Sequence, residues 1–240
     1  MAIWRSWAER IYEEYGILPA IIFGSAIHGS GRSFIANKVA EEMEKEELPV
    51  LRLSTGEIVR HIAEEEGVDI NELMKMQAEN PEKYYQLNLS IDARIHEIVE
   101  HGVQENIVVL DSNLAAYHVE IPTAAAILVY TKPDVAAGRV FHANREGERR
   151  YRNVEEAKRA LIERTREDIA TYRALSKIVR DNFWKMVYRL GAEDMEKNLE
   201  AVLQERVPKS PYYNETVDNN GSPEKTLEQV RTMIKRLTDG

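Results

Sequence analysis

One stretch constrains this chain more than any other: Ala20-Ile21-Ile22-Phe23-Gly24-Ser25-Ala26-Ile27-His28-Gly29-Ser30-Gly31-Arg32-Ser33-Phe34. An apolar run (Ile21, Ile22, Phe23) passes into a glycine- and serine-rich turn. An amphipathic segment follows, with Ile35, Ala36, Val39, Ala40 and Met43 on one face. The order is strand, glycine loop, helix, the context in which a loop binds phosphate. Gly29 and Gly31 allow backbone conformations closed to other residues and turn several N–H groups inward. A helix beginning near Arg32 adds its free N–H groups and positive dipole end, which completes an anion cradle. Against the pattern G-x-x-x-x-G-K-[ST], Gly31 and Ser33 fit, while Ala26 stands where the first Gly belongs and Arg32 where the Lys belongs. A glycine turn needed only for close packing accounts for the same residues, so both readings stay open on the loop alone.

The rest of the chain supplies further signs. Strands are expected at 20–25, 49–53, 107–111 and 124–130, with one short strand near Thr216-Val217-Asp218. Helices are expected over 3–15, from the loop to about Glu47, from Thr55 through Ile62, and after Asp69. A long helix runs from Pro81 to His101, and others span 134–143, 154–180, 182–190, 193–205 and the stretch from Ser222 to the C-terminus. The run Ile107-Val108-Val109-Leu110-Asp111 is continuously apolar, as in strands buried on both faces. Alternating strands and helices imply crossover units and a mostly parallel sheet, with ligands beyond the carboxyl ends of its strands. The glycine loop, Ser54-Thr55 and Asp111 all fall at such ends, and that coincidence argues for a site.

At 240 residues one α/β domain, or one domain with an insertion, is expected. The net charge of −9 argues against a protein that coats nucleic acid, yet the segment Arg139 to Arg173 is an Arg-rich island in an acidic chain. A polyanionic ligand would explain it. No run approaches the length of a membrane span, so no membrane partner is expected. The lack of cysteine excludes disulfides and thiolate metal sites and fits a cytoplasmic location.

Taken together, Gly29-Ser30-Gly31-Arg32-Ser33, Ser54-Thr55-Gly56-Glu57-Ile58-Val59-Arg60, Asn80-Pro81-Glu82, Val108-Val109-Leu110-Asp111, Arg145-Glu146-Gly147, Glu155-Glu156-Ala157 and the Arg164-to-Tyr172 helix come in a familiar order. In these pieces the chain resembles the P-loop nucleoside monophosphate kinases, most closely the archaeal type of cytidylate kinase, over roughly residues 20–178 and 214–238. The resemblance implies a three-layer α/β/α P-loop NTPase fold with a helical monophosphate-binding region (55–101) and an Arg-rich lid (139–173). It implies transfer of the γ-phosphoryl of ATP to a nucleoside monophosphate, CMP or dCMP favoured, with Mg²⁺. On that basis His28, Gly29, Ser30, Gly31, Arg32, Ser33 and Phe34 would bind ATP phosphates, and Ser33 and Asp111 would hold the metal. Arg32, Arg145, Arg164 and Arg166 would act in transfer, with Arg139 a lid arginine by neighbourhood. Ser54, Thr55, Arg60 and Asn113 would bind the acceptor.

Three departures mark this chain. Ser112-Asn113 stands where the family often has Gly-Arg, Ala26 opens the loop, and neither the N-terminal Trp-rich helix (1–16) nor the 178–211 segment has a family counterpart. Both additions are candidate homodimer elements. Two alternatives therefore stay beside the kinase: phosphoryl transfer to another small acceptor, and a non-catalytic nucleotide-binding regulator or assembly protein. Arg159, Arg166 and Arg173 recur every seven residues, which a solvated face stitched by Glu163-type pairs would also produce. Asp111 could equally cap an Asx turn.

Overall fold

A computed structural model describes residues 3–65, 67, 79, 81–119, 124–143 and 151–239. In chain order the elements are α1 (Ile3–Tyr15), β1 (Ala20–Ser25), α2 (Arg32–Lys45), β2 (Val50–Ser54), α3 (Thr55–Glu65), α4 (Pro81–Gly102) and β3 (Ile107–Asp111). A short 3₁₀ turn (Ala115–Tyr117) leads to β4 (Ala124–Tyr130), α5 (Pro133–His142), α6 (Val154–Ile178), α7 (Asn182–Leu203), β5 (Glu215–Asp218) and α8 (Pro223–Asp239). The helix expected after Asp69 lies outside the described residues.

The five strands form one sheet in the order β2-β3-β1-β4-β5, with every adjacent pair parallel. Residue parity along the strands decides the two cores. Ile21 and Phe23, Ile107 and Val109, and Ile127 and Val129 face α1, α2 and α8. Ala20 and Ile22, Val108 and Leu110, and Ala126 and Leu128 face the side covered by α4, α6 and α7. A sheet buried on both faces must read as continuous apolar runs, and β1 and β3 do. The architecture is the three-layer α/β/α P-loop NTPase fold.

Both segments without a family counterpart belong to this core. Trp4 and Trp7 on α1 are buried against α2 and α8, so the aromatic stripe is spent within the chain. The segment after Ile178 forms a single helix, where the sequence suggests two. Gly191 does not stop it: a Cβ there would lie 2.8 Å from Leu114 Cδ1, so its small size lets α7 approach the turn after β3.

Asp92 on α4 accepts a 2.6 Å hydrogen bond from the Tyr188 hydroxyl on α7, and burial pushes its pKa up to about 7. Between about pH 4 and pH 7 the folded chain therefore keeps a proton that the unfolded chain has released, so stability should fall as pH rises through that window and level off above it. Asp92→Asn removes the titration, and urea midpoints at about pH 5 and about pH 8 should then differ less than in the native chain. An unaltered difference would contradict the assignment.

Candidate active site

The order of the strands reverses around β1 and β3, and the candidate residues gather at the carboxyl ends there, as the general rule for open parallel sheets predicts. Phe23 and Ser54 both register with Asp111, one from β1 and one from β2. The glycine loop, the Asp111 carboxylate and the start of α3 thus stand side by side.

The loop is held from outside. Gly29 (φ 74°) and Gly31 (φ 81°) occupy the left-handed region, and a Cβ on Gly29 would come within 3.0 Å of Val140 on α5 and Leu161 on α6. The Ser30 carbonyl accepts three hydrogen bonds, from Asn219 Nδ2 (2.7 Å), Thr131 Oγ1 (2.9 Å) and Arg139 (3.3 Å). Gly31 is the N-cap of α2 and brings no side chain to that terminus. The Ser30 hydroxyl takes the Arg32 amide (3.3 Å), which leaves the amides of the exposed Ser33 and Phe34 to meet an anion.

Arg32 leaves α2 towards the sheet. Its Nε faces Asp111 Oδ1 as an ion pair, and its Nη1 donates to Asn113 Oδ1. Asp111 is buried, and Oδ1 receives no aligned hydrogen bond from any described residue, so the contact is one of charge alone. Asn113 Oδ1 also accepts from Ser25 N (3.1 Å) and Ser25 Oγ (3.2 Å). This ties Asn113 to the loop side of the site, whereas the sequence reading gives it to the acceptor.

At the end of β2, the Arg60 guanidinium and the Ser54 hydroxyl converge over Gly56. The Thr55 hydroxyl is buried and has no hydrogen-bond partner among the described residues. These groups join at the N-terminus of α3, a second place for an anion.

Helix α6 meets the loop with Leu161, Thr165, Asp168 and Tyr172, spaced so that all four share one face. The Thr165 hydroxyl accepts from His28 N (3.2 Å), and Asp168 pairs with His28 Nε2 at 2.8 Å. Sequence reasoning missed both α6 residues. The periodicity contained them, but nothing in the pattern says what lies opposite. Arg164 neighbours Thr165 and is exposed. Arg166 is exposed and lies 3.8 Å from Glu163. Arg173 pairs with Glu196 of α7 at 2.8 Å. Along this heptad Arg159 is exposed, and Arg166 and Arg173 lie beside carboxylates.

The lid expectation for Arg139 is corrected. It donates to Ser30 O, Asn219 O (2.6 Å) and Gly221 O (3.3 Å), so it braces the loop against the β5–α8 connection rather than serving a lid. Arg139→Met should weaken ATP binding several-fold through a loosened loop, measured by calorimetry; an unchanged affinity would refute the brace. Arg145 lies outside the described residues.

A parallel sheet with a glycine loop opening a helix beside a strand-terminal carboxylate defines a P-loop nucleotide-binding protein. The family model described as "AAA domain" matches residues 25–160. The cytidylate kinase of Methanopyrus kandleri is 31% identical over 167 residues, 66% of this chain and 77% of that protein. That of Aeropyrum pernix is 33% identical over 119 residues, half of this chain and 60% of its own length. A solved uncharacterized protein from Eubacterium ventriosum aligns with a TM-score of 0.49 at 13% identity, over 92% of this chain and 99% of its own; that likeness is too distant to bear on function. The chain belongs to the P-loop nucleoside monophosphate kinase family, as a divergent relative of the archaeal cytidylate kinases. Its class of chemistry is that of a nucleotide kinase.

Proposed function

We propose that this chain moves the γ-phosphoryl of ATP onto a nucleoside monophosphate, with CMP or dCMP as the favoured acceptor. One observation carries the reading: two anion sites flank a single buried carboxylate. The start of α2 lies after β1, the start of α3 lies after β2, and β3 with Asp111 runs between them. Neighbouring strands are about 4.8 Å apart, so the two helix starts stand roughly 10 Å from one another, which leaves room for the donor and acceptor phosphates to meet between them.

The α2 amides and Arg32 bind the donor phosphates, and Arg60 with the Ser54 and Thr55 hydroxyls binds the acceptor phosphate. Phosphoryl transfer needs little beyond such positioning and charge neutralisation. The residues fit Mg²⁺ in kind. Ser33 and Asp111 are hard oxygen donors, and Asp111 has a buried oxygen without an aligned donor. No cluster of three or more His, Cys, Asp or Glu occurs among the described residues, as suits a cation that keeps its waters and is held largely by substrate phosphates. Bound there, it would neutralise charge on the transferred group.

The commitment of Asn113 to the loop favours a second reading, in which the acceptor is another small molecule. Coupled release of ADP with CMP, dCMP, UMP and AMP decides. Turnover greatest with CMP or dCMP is expected, and comparable rates for all four would remove the cytidine preference. A melting shift with ATP but no turnover with any acceptor would point to a non-catalytic binder.

A further inference from the structure

Arg32, the cation that the phosphate loop itself carries, is already spent. It is mostly buried, held by Asp111 on one side and Asn113 on the other, while Asn113 Oδ1 is anchored to Ser25 of the loop's own strand. An approaching triphosphate and an approaching divalent cation therefore compete for two halves of a single ion pair.

The consequence follows from what each ligand strands. Metal-free ATP can take Arg32 only by leaving Asp111 as a buried carboxylate without a counter-charge. A free cation can take Asp111 only by leaving Arg32 unpaired. A buried charge deprived of its partner is costly, so each ligand alone meets a penalty that the two together avoid. By linkage, each must then strengthen the other's binding by the same factor.

We propose that Asn113 is the positioning residue of this exchange: a neutral tether that keeps Arg32 retracted on Asp111 and so makes nucleotide binding conditional on the cation. Asn113 suits the task because it adds a hydrogen bond to the retracted guanidinium without adding charge, and because Ser25 fixes its oxygen. An arginine at the same position would repel Arg32 and release it. The proposal rests on the reading that ATP occupies the loop.

Two measurements test it. Calorimetry of ATP with EDTA and with Mg²⁺ should give at least tenfold weaker binding without the metal in the native chain. Asn113→Ala removes the tether at constant charge, so it should bind metal-free ATP about fivefold tighter than the native chain, whereas Asn113→Asp should bind it more weakly. A residue that merely builds the site predicts the reverse sign for Asn113→Ala, and weaker binding by that variant overturns the tether.

The second measurement needs no nucleotide. In the free protein the Arg32 Nε–Hε resonance should be shifted and protected, and Asn113→Ala should move it towards the solvent position; a resonance that Asn113→Ala leaves unchanged overturns the tether. A solvent-like signal in the native chain overturns the proposal. If ATP with Mg²⁺ fails to bind the native chain, the nucleotide reading falls, and this resonance still decides the tether by itself.

Discussion

Arg32→Ala is expected to lower kcat/KM for phosphoryl transfer about a thousandfold, which corresponds to roughly 4 kcal/mol of lost transition-state stabilisation. The same substitution leaves Asp111, which is 4% exposed, without its counter-charge. Removing one member of a buried pair costs about 3 kcal/mol of folding stability. The two losses have separate readouts, a coupled ADP assay at saturating Mg²⁺ and a urea midpoint without ligand. Arg32→Lys distinguishes them further. A lysine restores charge next to Asp111 but lacks the planar fork that reaches Asp111 and Asn113 together, so stability should largely return. Stability unchanged in Arg32→Ala would show that the ion pair does not form in solution. Turnover unchanged would remove Arg32 from the mechanism.

That site was half legible in the sequence, and the division has a physical basis. Local chemistry announces itself: positive-φ glycines, a strand that is apolar up to Asp111 and a hydroxyl pair before a helix each leave a short signature. The sheet was equally legible, because double-sided burial demands continuous apolar runs such as Ile107 to Leu110. Partnerships across the fold leave none. Asp168 lies 140 residues from His28, and Asn219 lies 189 from Ser30, so no window of sequence contains either contact. Arg139 was misread, and Arg166 left unplaced, for a related reason. An arginine near a motif carries the same letter whether it faces a phosphate, a neighbouring glutamate or a backbone carbonyl. Only the register of α6, fixed by Leu161, Thr165 and Tyr172 against the loop and core, settles which way Arg166 turns.

Asp194→Ala tests whether the segment after Ile178 is an appendage or a strut of the site. Asp194 sits on α7, is 4% exposed, and accepts from three donors on the same oxygen: Tyr117 (2.8 Å), Asn198 (2.9 Å) and Ser210 (2.6 Å). Tyr117 ends the 3₁₀ turn that begins two residues after Asn113, so this carboxylate ties α7 to the chain that holds Arg32. Removing the acceptor leaves the buried donors Tyr117 and Asn198 to find other partners, at a cost of about 1–3 kcal/mol for each that does not. Tyr117 can fall back on Tyr213, with which it already interacts, and Ser210 is partly exposed to water. The net loss should therefore be about 3 kcal/mol, a fall in Tm of roughly 10 °C for a chain of this size. Asp194→Asn keeps an acceptor oxygen and should lose about a third as much. If α7 were an appendage, nucleotide affinity would stay unchanged in both variants at temperatures where they are folded. A strut predicts weaker binding of ATP with Mg²⁺ in both variants, because the 3₁₀ turn follows directly on the strand end that carries Asp111. A loss under about 1 kcal/mol in Asp194→Ala would show that the three donors find other partners and that α7 does not brace the turn.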